Sequence, residues 1–411
     1  MQRTTLILVL LVFLLFPFAP ALAGGSAYSR YGIGDILSLS STRTYALGGA
    51  SIGLVGDGFI NRLNPAGMSK ILYTRFSGSY GMTNFSSKSE EGNSRYGVGG
   101  FQGIALAFPV DSSLGIVLSL EALPFSSVRY GIQRSDTQAV AASNQTFYGD
   151  GGLSTLAAGL SLSITKDLHA GGKLTYYYGR TRQYAAINFV SSSLPAVDLD
   201  RSSYYSGFGF TGGVILEHAG DLLGIRPLSP LTLGAIVTTP VNMDLDEQDT
   251  YSSLDTTVSV RGTFRMPLSY GIGFSFPLGA RSMILGDLIA QQWADASRMG
   301  SAIPELRNSV RIGIGCELHP PPNAETYWQR TIYRAGAYYH ASYLQLKGHG
   351  IDEYGLTAGL GLPIGPDAKL NLGIQLGQRG TTSGGLQQDT ILRFSVGISA
   401  SEIWFLRLEE D

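Results

Sequence analysis

Apolar and polar residues alternate with a period of two through most of this 411-residue chain. In the stretch LNLGIQL (370–376), every second residue is leucine or isoleucine, and asparagine, glycine and glutamine lie between them. The same pattern recurs in RIGIGCEL (311–318) and LRFSVGI (392–398). A period of two is that of a β-strand with two different faces. After the first 23 residues no run of 18 apolar residues occurs, so a helical membrane protein is excluded.

The alternation predicts fourteen strands, and many of them reach the ~9–11 residues that cross a bilayer at a tilt. They lie at about 72–86, 96–109, 114–130, 151–165, 168–189, 202–219, 229–244, 258–276, 280–293, 304–318, 330–347, 352–363, 368–380 and 389–400. Short turns alternate with longer polar loops such as 131–150 and 245–257. An even strand count with this alternation is typical of outer-membrane barrels. We therefore predict an all-β, transmembrane antiparallel up-and-down β-barrel of about 14 strands, with its apolar face toward lipid.

The composition agrees with a lipid-facing band, because only 15% of the residues are charged while the chain has 54 Gly and 22 Tyr. Adjacent tyrosines such as Tyr176-Tyr177-Tyr178 fall near predicted strand ends, where they would form an interfacial girdle or pair across strands in a soluble sheet. The rival fold is an exported soluble β-sandwich or propeller. No signature repeats at about 40 residues, which disfavours the propeller.

The N-terminus has the features of a signal peptide. Arg3 precedes an apolar core at 6–16, and Ala21-Leu22-Ala23 matches a signal-peptidase site. We predict a signal peptide over 1–23, an N-terminal segment over 24–70 and a barrel over 71–408. The mature chain is then expected in the outer membrane of a Gram-negative-type bacterium, in contact with membrane lipid and with the machinery that assembles outer-membrane barrels.

The sequence lacks the residues that several classes of function require. Cys316 is the only cysteine and no HExxH motif occurs, so we expect neither a metal site nor a cofactor. The formal charge of −2 provides no basic surface for nucleic acid. His340 and Ser342 would share one strand face, but no carboxylate or amide stands at a spacing that would complete a catalytic set. We therefore predict that the protein is not an enzyme.

The residues before the first strand include a glycine-rich stretch, RTYALGGASIGLVGDGFINRLNPAGMSK (43–70). A phosphate-binding loop would need a strand before the glycines, a helix after them and a Lys-Ser/Thr pair, whereas Lys70 here follows Ser69. The segment is also too apolar for a solvated leader. We predict that it packs in the barrel lumen, with Gly48 and Gly49 allowing close backbone contact.

This stretch resembles the N-terminal hatch of the FadL-type outer-membrane transporters for hydrophobic compounds, through Gly48-Gly49-Ala50 and the turn-forming Asn64-Pro65-Ala66. The resemblance implies a fourteen-stranded barrel plugged by that hatch. It also implies passive uptake of hydrophobic or amphipathic, fatty-acid-like molecules, with lateral release where the third strand kinks. Pro124 stands in the third predicted strand and would supply the kink. The ending departs from the family, since Trp404-Phe405 is followed by six further residues.

An alternative function remains open at this point. Some relatives of the FadL type do not transport but act as partners of a secretion or surface-assembly machine. A continuous apolar tunnel from the loops to the wall would favour transport, whereas a lumen filled by residues 24–70 would favour a partner role. The sequence leaves the identity of a ligand open.

Overall fold

The structure is a computed structural model, and it describes residues 25–37, 41–90, 92–136, 142–190, 196–222 and 224–402. The predicted signal peptide and the residues from 403 onward, including Trp404-Phe405, lie outside the described residues.

Fourteen strands form the wall, and several of them are divided by a short interruption. They are β1 (Thr74–Ser89), β2 (Gly92–Asp111), β3 (Ile116–Pro124 and Tyr130–Asp136), β4 (Ser143–Ser163), β5 (Leu168–Phe189), β6 (Val197–Leu216), β7 (Thr232–Thr238 and Val241–Tyr251), β8 (Thr256–Met266 and Ser269–Leu278), β9 (Ser282–Gln291 and Ser297–Arg298), β10 (Ser301–Ala302 and Ser309–Leu318), β11 (Ile332–Ala341), β12 (Glu353–Pro363), β13 (Lys369–Gly380) and β14 (Gln388–Glu402).

Each strand pairs in antiparallel register with its neighbours along the chain, and β1 pairs with β14 to close the barrel. The predicted fold class is therefore confirmed, and each of the fourteen predicted segments corresponds to one strand. Closure leaves no sheet edge, which satisfies the backbone hydrogen bonds that lipid cannot satisfy.

The lengths of some loops were predicted wrongly. The segment 131–150 contains the end of β3 and the first residues of β4, and 245–257 contains much of Val241–Tyr251. These strands continue beyond the apolar band with polar residues on both faces. Because the sequence prediction relied on apolar alternation, it ended each strand where that alternation ended.

The two faces of the wall have the predicted polarity. Ile374 and Leu376 are exposed on the outer surface, while Gln375 between them is 3% exposed. In β10, Ile312 and Ile314 are exposed and Glu317 is fully buried. Apolar residues thus cover the outer surface, and polar residues line the interior.

The helices are short. The α-helices are α1 (Thr42–Ala46) and α2 (Ala219–Leu222), and the 3-10 helices are Ala27–Arg30, Pro65–Met68, Arg226–Leu228, Ser252–Leu254, Trp293–Asp295, Trp328–Arg330 and Ser383–Gly385. Within the described residues, none is long and apolar enough to span a membrane. Two-residue strands pair outside the wall ladder at Asp35–Ile36 with Ser126–Ser127, and at Gln345–Leu346 with His349–Gly350.

The described residues of 25–73, here called the N-terminal segment, contact strands all around the ring. Thr42 hydrogen-bonds to Ser395 of β14 at 2.7 Å, and Ser275 of β8 donates to the carbonyl oxygen of Gly53 at 2.8 Å. Asn64 donates to the carbonyl oxygen of Val214 in β6 at 3.1 Å. The N-terminal segment therefore makes hydrogen bonds to strands on different sides of the ring.

Candidate functional site

Gly48 and Gly49 lie where the N-terminal segment touches β10 and β11. Gly48 has a φ of +68°, and a Cβ there would lie 2.4 Å from the carbonyl oxygen of Ala337. Its N–H donates to Oγ1 of Thr357 at 3.1 Å, and its carbonyl oxygen accepts from Arg311 at 3.3 Å. Both the left-handed backbone and the close contact require glycine.

Asn64, Pro65 and Ala66 form the start of the 3-10 helix that leads into β1. The side chain of Asn64 accepts a hydrogen bond from the N–H of Ala66 at 3.1 Å, and Pro65 occupies the first helical position. The Asn64 amide also donates to the carbonyl oxygen of Ile52 at 2.9 Å, in addition to its bond to β6. Glycines on the facing strands make room, because a Cβ at Gly171 would lie 2.5 Å from the backbone of this turn. The motif is both a turn and a wall contact.

Asp287 of β9 accepts hydrogen bonds from the middle of the N-terminal segment. The N–H groups of Ser51 and Ile52 donate to its Oδ2 at 2.6 and 2.9 Å. Asn61 closes the same loop by donating to the carbonyl oxygens of Ser51 and Leu54 at 2.7 and 2.9 Å. Buried backbone groups that would otherwise lack partners are thereby satisfied.

Three ion-pair groups connect the N-terminal segment to the wall, and the first joins Asp35 to Arg379 of β13 at 3.0 Å. Arg43 donates to both carboxylate oxygens of Glu317, at 2.9 and 2.7 Å, and Arg334 donates to the same carboxylate at 2.6 Å. Lys70 forms an ion pair of 2.5 Å with Glu217, which also accepts from His169 at 2.7 Å. Burial raises the pKa of Glu217, but the hydrogen bonds from His169 and Lys70 outweigh it and hold that pKa below 4.5.

The wall has a break beside Pro124. The ladder between β2 and β3 ends where Ile104 lies opposite Ala122. Residues Gly92–Gly103 of β2 pair only with β1 in the described structure, while the later residues of β3 pair with β4. The N–H of Phe125 donates to Leu153 of β4. Since N–H directions alternate along a strand, the N–H that Pro124 lacks would have pointed toward β2.

After Pro124 the chain bends into the barrel and meets the start of the N-terminal segment. Ser126 and Ser127 pair with Asp35 and Ile36, and the N–H of Leu37 donates to the carbonyl oxygen of Phe125 at 2.8 Å. On the opposite side of the bend, a Cβ at Gly152 of β4 would lie 2.2 Å from the carbonyl oxygen of Ser126. The bend is therefore held between β4 and the N-terminal segment.

A cavity of about 130 Å³ adjoins this break. One side of it is lined by Val98, from the part of β2 that pairs only with β1, and by Ser127 and Arg129 from the bend. Asp35 and Tyr28 of the N-terminal segment line another. Burial raises the pKa of Tyr28 to about 12, so its hydroxyl stays protonated and donates to the carbonyl oxygen of Gln387.

A second cavity, of about 580 Å³, lies at the end of the barrel that carries the turns after β6 and β10. His218 and His319 from those turns line it together with Leu54, Phe59 and Arg75. The two cavities share no lining residue. Around the middle of the N-terminal segment the packing is dense, and the residues with no exposed surface there are Ala46, Leu47, Ala50 and Ile52.

The catalytic alternatives remain unsupported by geometry. His340 and Ser342 form no hydrogen bond with each other among the described residues, and the hydroxyl of Ser342 accepts from the N–H of Leu344 at 3.3 Å. Sequence reasoning missed a different group, in which Ser69 bonds to Nδ1 of His169 at 2.8 Å and Nε2 of His169 bonds to Glu217. Ser69 is 4% exposed, and it closes the junction between the N-terminal segment and β1. No cluster of metal-ligating side chains occurs among the described residues.

The other residues that sequence reasoning missed are Asp287, Glu317 and Gly152. Each of them contacts a residue that is distant in the sequence. The only sign of this in the sequence is a charged residue or a glycine at an inward-facing position of a predicted strand.

The family comparison gives a match over residues 1–409 to the BamG family model. The chain belongs to the BamG family. No curated protein sequence matches it. Among solved structures, a Pseudomonas aeruginosa FadL homologue covers 90% of this BamG-family chain and 99% of its own, with a TM-score of 0.59 and 13% identity.

Two toluene transporters have the same fold. The Ralstonia pickettii transporter TbuX covers 89% of the chain and 99% of its own, with a TM-score of 0.59 and 13% identity. The Pseudomonas putida transporter TodX covers 90% and 99%, with a TM-score of 0.56 and 14% identity. The predicted resemblance to the FadL type is confirmed at the level of the fold.

Proposed function

We propose that this protein is an outer-membrane channel for passive uptake of hydrophobic or amphipathic small molecules. In this proposal residues 24–70 are a hatch, and the break beside Pro124 is a lateral outlet. The observation that carries it is the end of the β2–β3 ladder at Ile104 and Ala122, next to a cavity that the N-terminal segment also lines. The shared fold with proteins described as toluene transporters supports it.

A lateral outlet suits an apolar solute for a physical reason. A molecule that leaves through the wall passes directly into hydrocarbon, where burial of apolar surface favours it. The straight route through the other end of the barrel would pass Arg43, Arg75 and Arg334, which line the larger cavity. An apolar solute gains nothing from these charges, so the sideways route is favoured.

The dense packing in the middle of the N-terminal segment, and the ion pairs of Asp35 with Arg379 and of Lys70 with Glu217, support a hatch that is closed in this conformation. Uptake then requires that some of these contacts open. Deleting residues 26–66 should raise the single-channel conductance of the protein in planar bilayers. An unchanged conductance would show that the segment does not occlude the lumen.

The outlet is tested by restoring a backbone donor at the break. Pro124→Ala returns an N–H that points toward β2, and we expect slower uptake of a neutral probe such as toluene into cells that express the variant. Pro240→Ala is the matched control, because Pro240 also interrupts a strand but the ladders of β7 resume on both sides of it. Undiminished uptake by the Pro124 variant would count against a lateral outlet.

A second candidate function is that of a non-transporting partner of the barrel assembly machinery or of a related surface-assembly machine. Membership in the BamG family and the dense packing of the N-terminal segment favour it. Cells that lack the protein should then accumulate unassembled outer-membrane barrels, and the tagged protein should co-purify with the assembly machine. Normal barrel assembly in cells that lack it would exclude this role.

A further inference from the structure

The larger cavity is lined by two cationic side chains, Arg75 and Lys369, that form no close ion pair with a carboxylate of the described residues. Arg75 on β1 is 6% exposed, and its Nε has no hydrogen-bond partner. Both residues take part in the strand ladders through their backbones, but within the described part of the chain the side chain of neither Arg75 nor Lys369 of β13 forms an ion pair or a hydrogen bond. Burying a charge without a partner is costly, so a side chain in this position normally has a counterion.

The strand register places polar groups around these two cations on one inner surface. Ser77 of β1 lies opposite Ser399 of β14, and Ser399 lies opposite Lys369 of β13. Arg75 stands two residues before Ser77 and therefore faces the same side. Ser79 stands two residues after it, and its hydroxyl is also buried without a partner. The surface thus presents unused hydrogen-bond donors to the cavity.

The carboxylates of this cavity do not cancel the positive charge. Glu317 is shared by Arg43 and Arg334, and Glu217 is engaged by Lys70. Asp57 and Asp367 attract Arg75 only at longer range, since both are exposed and neither forms an ion pair with it. The site that remains is cationic and rich in donors.

Apolar side chains form the other side of the same cavity. Leu54, Phe59 and Ile60 of the N-terminal segment line it together with Met283 of β9. With a volume of about 580 Å³, the cavity has room for a small organic molecule in addition to its acidic group. This combination suits a molecule with one acidic group and an apolar body.

We propose that this cavity is a binding site for a small organic monoanion. Its carboxylate binds between Arg75 and Lys369, with the hydroxyls of Ser77, Ser79 and Ser399 around it, and its apolar body lies against the N-terminal segment. The site shares no residue with the cavity at the wall break, and it does not depend on the proposed uptake function. Arg75 and Lys369 are the residues that select for the charge.

The test is ¹⁹F NMR titration of 4-fluorobenzoate into the purified full-length protein in a non-ionic detergent. We expect saturable binding, and an increase in Kd of about tenfold or more in Arg75→Gln and in Lys369→Gln, since each variant loses a charge-assisted hydrogen bond. Arg75→Lys should retain part of the affinity. Arg261→Gln is the matched control, because Arg261 is exposed near the opposite end of β8. Heat-modifiable migration on gels confirms that each variant is folded.

Three outcomes would overturn the proposal. The first is equal affinity of wild type and the Arg75 and Lys369 variants for 4-fluorobenzoate. The second is equal affinity of the wild type for 4-fluorobenzoate, inorganic phosphate and the neutral 4-fluorotoluene. The cavity would then select neither for the negative charge of the ligand nor for its apolar ring. The third is a loss of affinity in Arg261→Gln as large as that in the Arg75 and Lys369 variants, which would mean that the effect does not come from this cavity.

Discussion

Arg43 and Glu317, which are 274 residues apart, join the N-terminal segment to β10 through two parallel hydrogen bonds of 2.9 and 2.7 Å. The Glu317 side chain is 1% exposed, and Arg334 contacts it from β11. Bidentate pairs of this kind fix both position and orientation. The carboxylate is thus the point at which the segment and two wall strands meet.

Replacing Glu317 with Gln should strongly destabilise this region. The change leaves Arg43 and Arg334 without their shared counterion, and breaking a buried pair on one side costs about 3–5 kcal/mol. The expected result is a lower urea midpoint for unfolding in micelles and faster proteolysis of the N-terminal segment. Asp246→Asn is a suitable control, since its pair with Arg261 is exposed. Equal midpoints for both variants would contradict the assigned role.

Gly48→Ala tests the close contact between the N-terminal segment and the wall. Alanine would be strained at a φ of +68°, and its Cβ would meet the carbonyl oxygen of Ala337 at 2.4 Å. We expect a loss of about 2 kcal/mol, seen as faster amide exchange in residues 44–54. Gly58→Ala is the control, because nothing lies within 4 Å of a Cβ there. If both variants exchange alike, the contact at Gly48 does not hold the segment.

The sequence predicted the wall better than the interior. The number of strands, and the face of the sheet on which each residue lies, follow from local alternation, as in 370–376. Each lipid-facing residue contributes to this pattern independently. The interior contacts have no such local signal. Nothing near Arg43 in the chain identifies Glu317 as its partner, and nothing near Asp35 predicts its pairing with the bend after Pro124.

The Asn64-Pro65-Ala66 motif also combines a feature that the sequence predicts with one that it does not. Its turn follows from local chemistry, because the Asn side chain accepts from the backbone two residues on and proline fixes φ. Its bond to Val214 depends on Gly171 and Gly213, which leave space on two distant strands. Only the three-dimensional register places those glycines opposite the turn.

The ion pair between Lys70 and Glu217 should make the junction of the N-terminal segment and β1 sensitive to acid. Because the folded-state pKa of Glu217 is held below 4.5, its contribution to stability is present above pH 4.5 and is lost as the pH falls through the folded pKa. We expect faster proteolysis near Lys70 below pH 4.5 in the wild type. Glu217→Gln should remove this dependence in that window. A wild-type rate that is flat with pH would contradict the role of the pair.

The bend beside the wall break depends on Gly152, which suggests the final prediction. An alanine Cβ at this position would lie 2.2 Å from the carbonyl oxygen of Ser126, and the φ of +143° would add strain. The bend must then move away from β4, which should disturb its pairing with Asp35 and Ile36. We expect increased amide exchange at 125–128 and altered uptake of a hydrophobic probe. Gly212→Ala in β6 is the control, since it lies away from the break and a Cβ there would make only ordinary contacts, the nearest at 3.6 Å. If the Gly152 variant changes exchange but leaves uptake as in the control, the bend is structural and the outlet lies elsewhere.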